Sequence, residues 1–143
     1  MSGLLIAPFR CDITPDRPVP LAGYRRRDGL SARTELPLEA NGLIFDTGDG
    51  PAALIAIDTL FAGTALTGAL RACWPGPGPV PDILWLASHT HGAPALDPTK
   101  PRLGALDEGY LRSVAATLAD AMAAATPAPV AAFRAERKHM NAG

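Results

Sequence analysis

Two histidines stand where an apolar segment gives way to a loop. The segment "DILWL" is followed by "ASHTHGAP", which carries His89 and His91 two positions apart. An imidazole can ligate a metal ion through a neutral ring nitrogen, and near neutral pH it can also give or take a proton. The pattern therefore leaves three alternatives open: a metal site, an acid–base pair, or two unrelated surface imidazoles.

The elements that precede these histidines predict where a third polar group lies. A second apolar segment, Ala52–Asp58, ends in a carboxylate, and a short helix beginning near Thr64 separates it from the strand Asp82–Ser88. The connection is long enough for a parallel crossover, and ligands bind beyond the carboxyl ends of parallel strands. Side chains two apart on an extended segment share a face. We therefore expect His89, His91 and Asp58 to converge, and two imidazoles with a carboxylate match a common zinc site.

The rest of the chain supplies the elements of one domain spanning residues 1–143. Leu4–Ile13 and Gly42–Phe45 read as strands, a Pro- and Gly-rich loop lies between them, and "PVAAFRAERK" predicts a last strand. A second long helix begins at the N-cap Asp107, with an apolar stripe formed by Leu111, Val114, Ala115, Leu118 and Met122. This order predicts an α/β fold, a mixed sheet with a parallel βαβ crossover and helices packed on it. The scarcity of polar residues in Ala52–Asp58 predicts a strand covered on both faces.

Composition excludes several classes of protein. The chain is 48% hydrophobic and 19% charged with a net charge of −1, which predicts a folded domain without the clustered basic surface of a nucleic-acid-binding protein. Cys11 and Cys73 lie far apart, which favours free thiols in a reducing compartment. No segment reaches the length of a membrane span or a signal-peptide core. We expect a cytoplasmic protein without stable membrane insertion, in which an unfinished sheet edge would allow self-association.

Three segments, taken in order, resemble a known family. They are "RCDITPDRPVPLAGY", "LPLEANGLIFDTGDGPAALIAIDTLF" and "ILWLASHTHGAPA", and together they are similar to the amino-terminal part of the neutral/alkaline, non-lysosomal ceramidases. That family shows a D-I-T-P segment, a hydrophobic-A-G-Y segment, a strand ending in Asp and a T/S-H-T-H-S-G-P motif. The matching positions here are 12–15, 21–24, Asp58 and 88–91. The resemblance covers the chain to about Pro94, and more loosely the helix after it.

The resemblance implies zinc-dependent hydrolysis of ceramide (N-acylsphingosine), an amide-bearing lipid of sphingolipid metabolism. It implies that His89 is a Zn²⁺ ligand and that His91 is either a second ligand or the group that polarises the amide oxygen. Asp58 would orient a histidine or accept a proton. The family's remaining ligands, a His, a Glu and a Tyr, lie well downstream of this segment. The resemblance therefore predicts a truncated amino-terminal portion that is incomplete as a catalyst on its own.

One departure from the family motif and two alternatives accompany that hypothesis. Gly92-Ala93-Pro94 stands where the family has Ser-Gly-Pro, which removes a hydroxyl beside the histidines. One alternative is a small self-contained metal hydrolase that uses His89, His91 and Asp58 on an unidentified ester or amide. The other is a non-catalytic globular fragment whose histidines are hydrogen-bonded loop residues. His139 lies among basic residues, and we expect it to be exposed and not to bind metal.

Overall fold

Five strands form one mixed sheet, and two helices pack on it. The computed structural model describes residues 4–25, 27–46 and 49–130. The strands and helices are β1 Leu5–Asp12, β2 Glu39–Asp46, β3 Pro51–Ile57, α1 Thr64–Cys73, β4 Asp82–Ala87, α2 Glu108–Ala124 and β5 Ala128–Pro129, with a 3-10 turn at Pro101–Leu103. The strand order across the sheet is β4-β3-β2-β1-β5. The predicted α/β fold class is thereby confirmed.

Strand register explains why β2 is longer than its apolar segment suggests. β1 and β2 are antiparallel from the pair Leu5 and Asp46 to the pair Asp12 and Glu39. The ladder therefore extends β2 to Glu39, ahead of the predicted start at Gly42. β3 is antiparallel to β2 and parallel to β4, so α1 makes the predicted crossover between the two parallel strands.

The hydrophobic core lies between the helices and one face of the sheet. Ile55 and Ile57 of β3 are fully buried on this face, as are Leu66 and Leu70 of α1. α2 begins at its N-cap Asp107, whose carboxylate accepts a hydrogen bond from the Tyr110 amide at 2.9 Å. The predicted apolar stripe of α2 is buried in full, at Leu111, Val114, Ala115, Leu118 and Met122.

The opposite face of the sheet remains open to solvent within the described residues. Leu43 of β2 is 40% exposed, and Leu84 and Leu86 of β4 are 63% and 47% exposed. In β3, Ala56 is exposed while the neighbouring Ile55 and Ile57 are buried. The expectation that this strand is covered on both faces is therefore wrong for the part of the chain that the structure describes. Its non-polar composition leaves an apolar surface instead.

The long loop between β1 and β2 is closed at its base. The Ile13 amide donates to the Leu38 carbonyl at 2.9 Å, and the Leu38 amide donates to the Thr14 hydroxyl at 2.8 Å. Arg17, further along the loop, forms two hydrogen bonds with the carboxylate of Asp107 at 2.7 and 2.8 Å. These contacts fix the loop against the start of α2.

Two further predictions concern the ends of the chain and the membrane. The predicted last strand begins with β5, which pairs with β1, but its residues from 131 onward lie outside the described ranges. His139 lies outside them as well. Neither α1 nor α2 combines the length and apolar character needed to cross a membrane.

Candidate functional site

The parallel pair β3–β4 brings the polar residues of two strand ends to the same edge of the sheet. Ile57 and Ala87 are register partners at the last position of each strand. The Ser88 amide donates to the Ile57 carbonyl at 3.0 Å, which extends the pairing by one step. Asp58 and His89 therefore leave adjacent strands at the same end.

His89 turns the chain sharply as it leaves β4. Its φ of 61° lies in the left-handed region, which non-glycine residues rarely adopt, although His is among the more tolerant types. Its Nδ1 lies 3.0 Å from the Leu60 carbonyl oxygen, and a carbonyl only accepts, so Nδ1 carries the proton. This contact leaves Nε2 with a lone pair. An Nδ1–H bonded to a backbone carbonyl is the usual support of a histidine that ligates a metal.

The two imidazoles lie side by side, but strand alternation is not the reason. Their ring centroids are 5.4 Å apart at an angle of 74°. Because His89 has a left-handed backbone and His91 lies in a turn, the extended geometry that would place residues two apart on one face ends at Ala87. The rings meet through the turn, with Phe61 against His89 and Tyr24 against His91.

His91 contains a buried nitrogen that has no hydrogen-bond partner. Its Nδ1 is shielded from solvent and unpaired within the described residues. Gly23 lies so close that a Cβ built there would be 2.6 Å from this nitrogen. Orphaned buried N–H groups are rarer in proteins than unpaired acceptors. The favoured tautomer thus leaves Nδ1 bare and carries the proton on Nε2, which makes Nε2 a hydrogen-bond donor.

Asp58 is hydrogen-bonded to the start of β2. Its Oδ2 accepts a hydrogen bond from the Glu39 amide at 3.1 Å, and its own amide donates to the Glu39 carbonyl at 2.9 Å. No hydrogen bond or ion pair joins Asp58 to His89 or His91 in residues 4–25, 27–46 and 49–130. Over the same ranges, no three His, Cys, Asp or Glu residues are grouped so as to hold a metal ion. The expected convergence of two histidines and Asp58 is reduced to the two histidines.

Asp58 instead lines a cleft beside the histidine turn. The cavity has a volume of about 790 Å³ and lies between the β1–β2 loop and the segment that follows His89. Its apolar lining includes Pro15, Pro18, Leu21, Leu36, Pro37 and Leu38. Its polar lining includes Asp58, Thr14, Ser31 and Thr90 together with the charged residues Asp16, Arg17, Arg33 and Glu35. The cleft could hold a molecule with an apolar chain and a polar group, in contact with the backbone of the histidine turn.

A buried tyrosine supports the floor of this region. The Tyr110 hydroxyl donates to the Ile13 carbonyl at 2.8 Å. Burial raises the pKa of Tyr110 far above its usual value, and the negative charges of Asp12 and Asp58 raise it further. The phenol therefore stays protonated and serves as a structural link between α2 and the end of β1.

Sequence reasoning did not assign roles to Gly23, Tyr24 or Arg27, although the first two belong to the recognised "LAGY" segment. Tyr24 packs against the ring of His91, and the Arg27 guanidinium donates to the His91 carbonyl at 2.5 Å. The Arg27–His91 contact joins residues 64 positions apart in sequence. Nothing in local spacing predicts such a contact. The close match of "LAGY" to a motif was the one available signal.

Comparison with known proteins finds similar structures but no similar sequence. The chain matches no family model and no curated protein in sequence. In structure it is similar to the neutral ceramidase from Pseudomonas aeruginosa, with a TM-score of 0.71 and 16% identity, over 89% of this chain and 22% of that one. It is also similar to a ceramidase complexed with C2, with a TM-score of 0.64, 14% identity and the same coverage. The chain has a ceramidase-like fold and spans about a fifth of the length of these neighbours.

Proposed function

We propose that this chain is the amino-terminal part of a ceramidase-like zinc amidohydrolase that cleaves the amide of an N-acylated sphingoid base. The observation that carries the proposal is the pair of imidazoles at the end of the parallel strands, in a fold shared with a neutral ceramidase. The whole-chain activity requires further residues, because a tetrahedral zinc site needs four ligands and this pair supplies at most two.

The donor set of the pair is compatible with zinc. His89 presents Nε2 as an acceptor, since its Nδ1–H is held by the Leu60 carbonyl. Zinc, when bound, supplies a Lewis acid that makes hydroxide available near neutral pH. His89 is therefore the ligand in this proposal, and the remaining ligands come from a further segment of a longer chain.

His91 acts in this proposal as the donor that polarises the amide oxygen. Its Nδ1 lies against Gly23 and is closed to a ligand, so only Nε2 faces the reacting groups. A donor placed where negative charge develops on the carbonyl oxygen stabilises the transition state; removing such a donor typically costs about 3 kcal/mol of barrier. The tautomer favoured by the buried Nδ1 provides that donor without rearrangement.

Asp58 has one carboxylate oxygen available for chemistry. Oδ2 is engaged by the Glu39 amide, whereas Oδ1 makes no hydrogen bond within the described residues; Asp58 is one of the residues that line the cleft. In this proposal Oδ1 accepts a proton from a group bound in the cleft. The apolar part of the cleft accommodates the hydrocarbon portion of the substrate.

Zinc binding by a longer protein that contains this segment and the remaining ligands tests the proposal directly. Native mass spectrometry of that protein after titration with micromolar zinc should show one ion per chain, and His89→Asn should lose it, whereas the 143-residue chain alone should bind zinc weakly. Asparagine is the replacement of choice because it tolerates the left-handed backbone at this position. The adjacent exposed Ser88 provides the matched control, and Ser88→Ala should bind zinc like the parent.

Hydrolysis assays distinguish the proposed substrate class from a general one. The longer protein, supplied with zinc, should release fatty acid from a fluorogenic short-chain ceramide faster than it cleaves a simple ester. Equal zinc binding by His89→Asn and the parent would contradict the proposal. Faster cleavage of the ester would favour a general metal hydrolase.

A further inference from the structure

The segment Ala22–Tyr24, together with Arg27, packs against the turn that carries His91. The Ala22 amide donates to the Ala93 carbonyl at 2.8 Å, and the Gly23 amide donates to the Leu103 carbonyl at 2.6 Å. Ala22 and Ala93 are both buried. The segment is thereby fixed at two points that both follow His91 in the chain, one two residues after it and one at the 3-10 turn.

Gly23 provides the space in which the His91 ring lies. Its φ of +110° lies in the left-handed region, and a Cβ built on it would be 2.5 Å from Cγ and 2.6 Å from Nδ1 of His91. Such distances are far below van der Waals contact. Any side chain at this position would displace the imidazole as well as strain the backbone.

Arg27 fixes the backbone at both sides of that contact. One guanidinium nitrogen donates to the Ala22 carbonyl at 3.1 Å and to the His91 carbonyl at 2.5 Å. The guanidinium also lies over the Tyr24 ring, 4.7 Å from its centroid, and that ring packs edge-on against His91 at 4.8 Å. Arg27, Tyr24 and His91 therefore form one contiguous stack.

We infer that Gly23 and Arg27 are positioning residues, which set the location and the orientation of the His91 imidazole. The inference rests on the proposed function for what His91 does, but not for how it is held. Arginine is required because it satisfies two carbonyls while its flat guanidinium stacks on an aromatic ring, and a lysine ammonium does not reproduce that geometry. Gly23 is required because the ring occupies the space of its missing side chain.

The positioning role of Gly23 can be tested against Gly29, a matched control in the same loop. Gly29 also has a positive φ, of +86°, but a Cβ there would meet nothing within 4 Å. Gly23→Ala and Gly29→Ala thus share the backbone strain, and only Gly23→Ala disturbs His91. In proton–carbon NMR spectra of the full chain, the His91 ring signals should move by several linewidths in Gly23→Ala and stay in place in Gly29→Ala. Equal positions in both variants would overturn the inference.

Variants at Arg27 test the inference even if Gly23→Ala fails to fold. Arg25 is exposed and makes no hydrogen bond within the described residues, so Arg25→Gln removes the same charge without the contacts. Arg27→Gln and Arg27→Lys should weaken the nuclear Overhauser contact between the Tyr24 and His91 rings at least twofold, and Arg25→Gln should preserve it. An unchanged contact in Arg27→Gln would overturn the role assigned to Arg27.

The readouts separate this inference from the proposed function. Ring positions in the zinc-free chain report how His91 is held, whether or not zinc binds. If the longer protein that contains this segment hydrolyses ceramide, Arg27→Gln in it should lower kcat about tenfold or more with little change in KM, since His91 acts on the transition state. A change confined to KM would contradict the positioning of His91. A longer protein that binds no zinc, with the expected ring shifts in the variants of this chain, would refute the proposed function alone.

Discussion

At the scale of single residues, Asp58 combines a structural hydrogen bond with a place in the lining of the cleft. Its Oδ2 accepts a hydrogen bond from the Glu39 amide at the start of β2, and the residue lines the cleft. Asp58→Ala leaves that amide without its partner, which typically costs about 1–3 kcal/mol. Asp58→Asn retains an acceptor oxygen, so its free energy of unfolding should lie close to that of the parent. Urea denaturation of the two variants measures the difference, and equal loss in both would show that the charge itself is what β2 requires.

The two cysteines should differ in reactivity. Cys11 is partly buried against the core. The pKa of its thiol is raised to about 11, mainly because burial disfavours the charged thiolate. At pH 8 this lowers the thiolate fraction on the order of a hundredfold relative to an ordinary cysteine. Cys73 is exposed. A thiol-reactive dye should therefore label Cys73 at once and Cys11 only after unfolding in urea. Rapid labelling of both cysteines in the folded chain would contradict the partial burial of Cys11.

At the scale of elements, the start of α2 has a pH-dependent component of stability. The Tyr110 amide and, secondarily, Arg17 lower the pKa of Asp107 below its usual value. A carboxylate with a depressed folded pKa stabilises the protein above its unfolded pKa of about 4, and this contribution disappears as the pH falls through the folded value. Asp107→Ala should lose about 1 kcal/mol at pH 7, and the loss should shrink at low pH.

Thermal or urea unfolding across the pH range measures that dependence. The matched control is Asp120→Ala, since Asp120 lies in the body of α2 and is exposed. A difference between Asp107→Ala and the parent that persists unchanged down to pH 3 would assign the effect to the capping hydrogen bond, which a neutral carboxyl group still accepts, instead of to charge.

Local signals predicted the elements better than the site. The apolar stripe of α2 and its N-cap Asp107 follow from helical periodicity and capping chemistry, which act within a few residues. The parallel crossover followed from the length of the connection between β3 and β4. The meeting of His91 with Gly23 could not be derived in this way, because it depends on how a loop folds back over the sheet. The hydrogen bond from the Glu39 amide to Asp58 was unpredictable for the same reason, since it is decided by the pairing of β2 and β3.

At the scale of the molecule, the open face of the sheet predicts association between copies of the chain. Leu84 and Leu86 lie on β4, which is an edge strand of the described sheet, and exposed apolar edges are templates for pairing. Leu84→Lys should shift the chain toward the monomer in analytical ultracentrifugation. Leu36, 80% exposed on the β1–β2 loop, gives the control: Leu36→Lys should leave the association unchanged. An equal effect of both variants would show that general surface polarity, and not this face, is responsible.

The closed base of the β1–β2 loop has a consequence for the continuity of the polypeptide. Because the loop begins and ends at the same hydrogen-bonded position, between Ile13 and Leu38, a cut at its exposed tip leaves both ends where they were. Trypsin acting after Arg33 would produce two pieces, and the β1–β2 ladder with the ion pair between Arg17 and Asp107 would keep them together. The nicked protein should elute as one species and separate only in denaturant, so covalent connection through this loop is dispensable once the domain has folded.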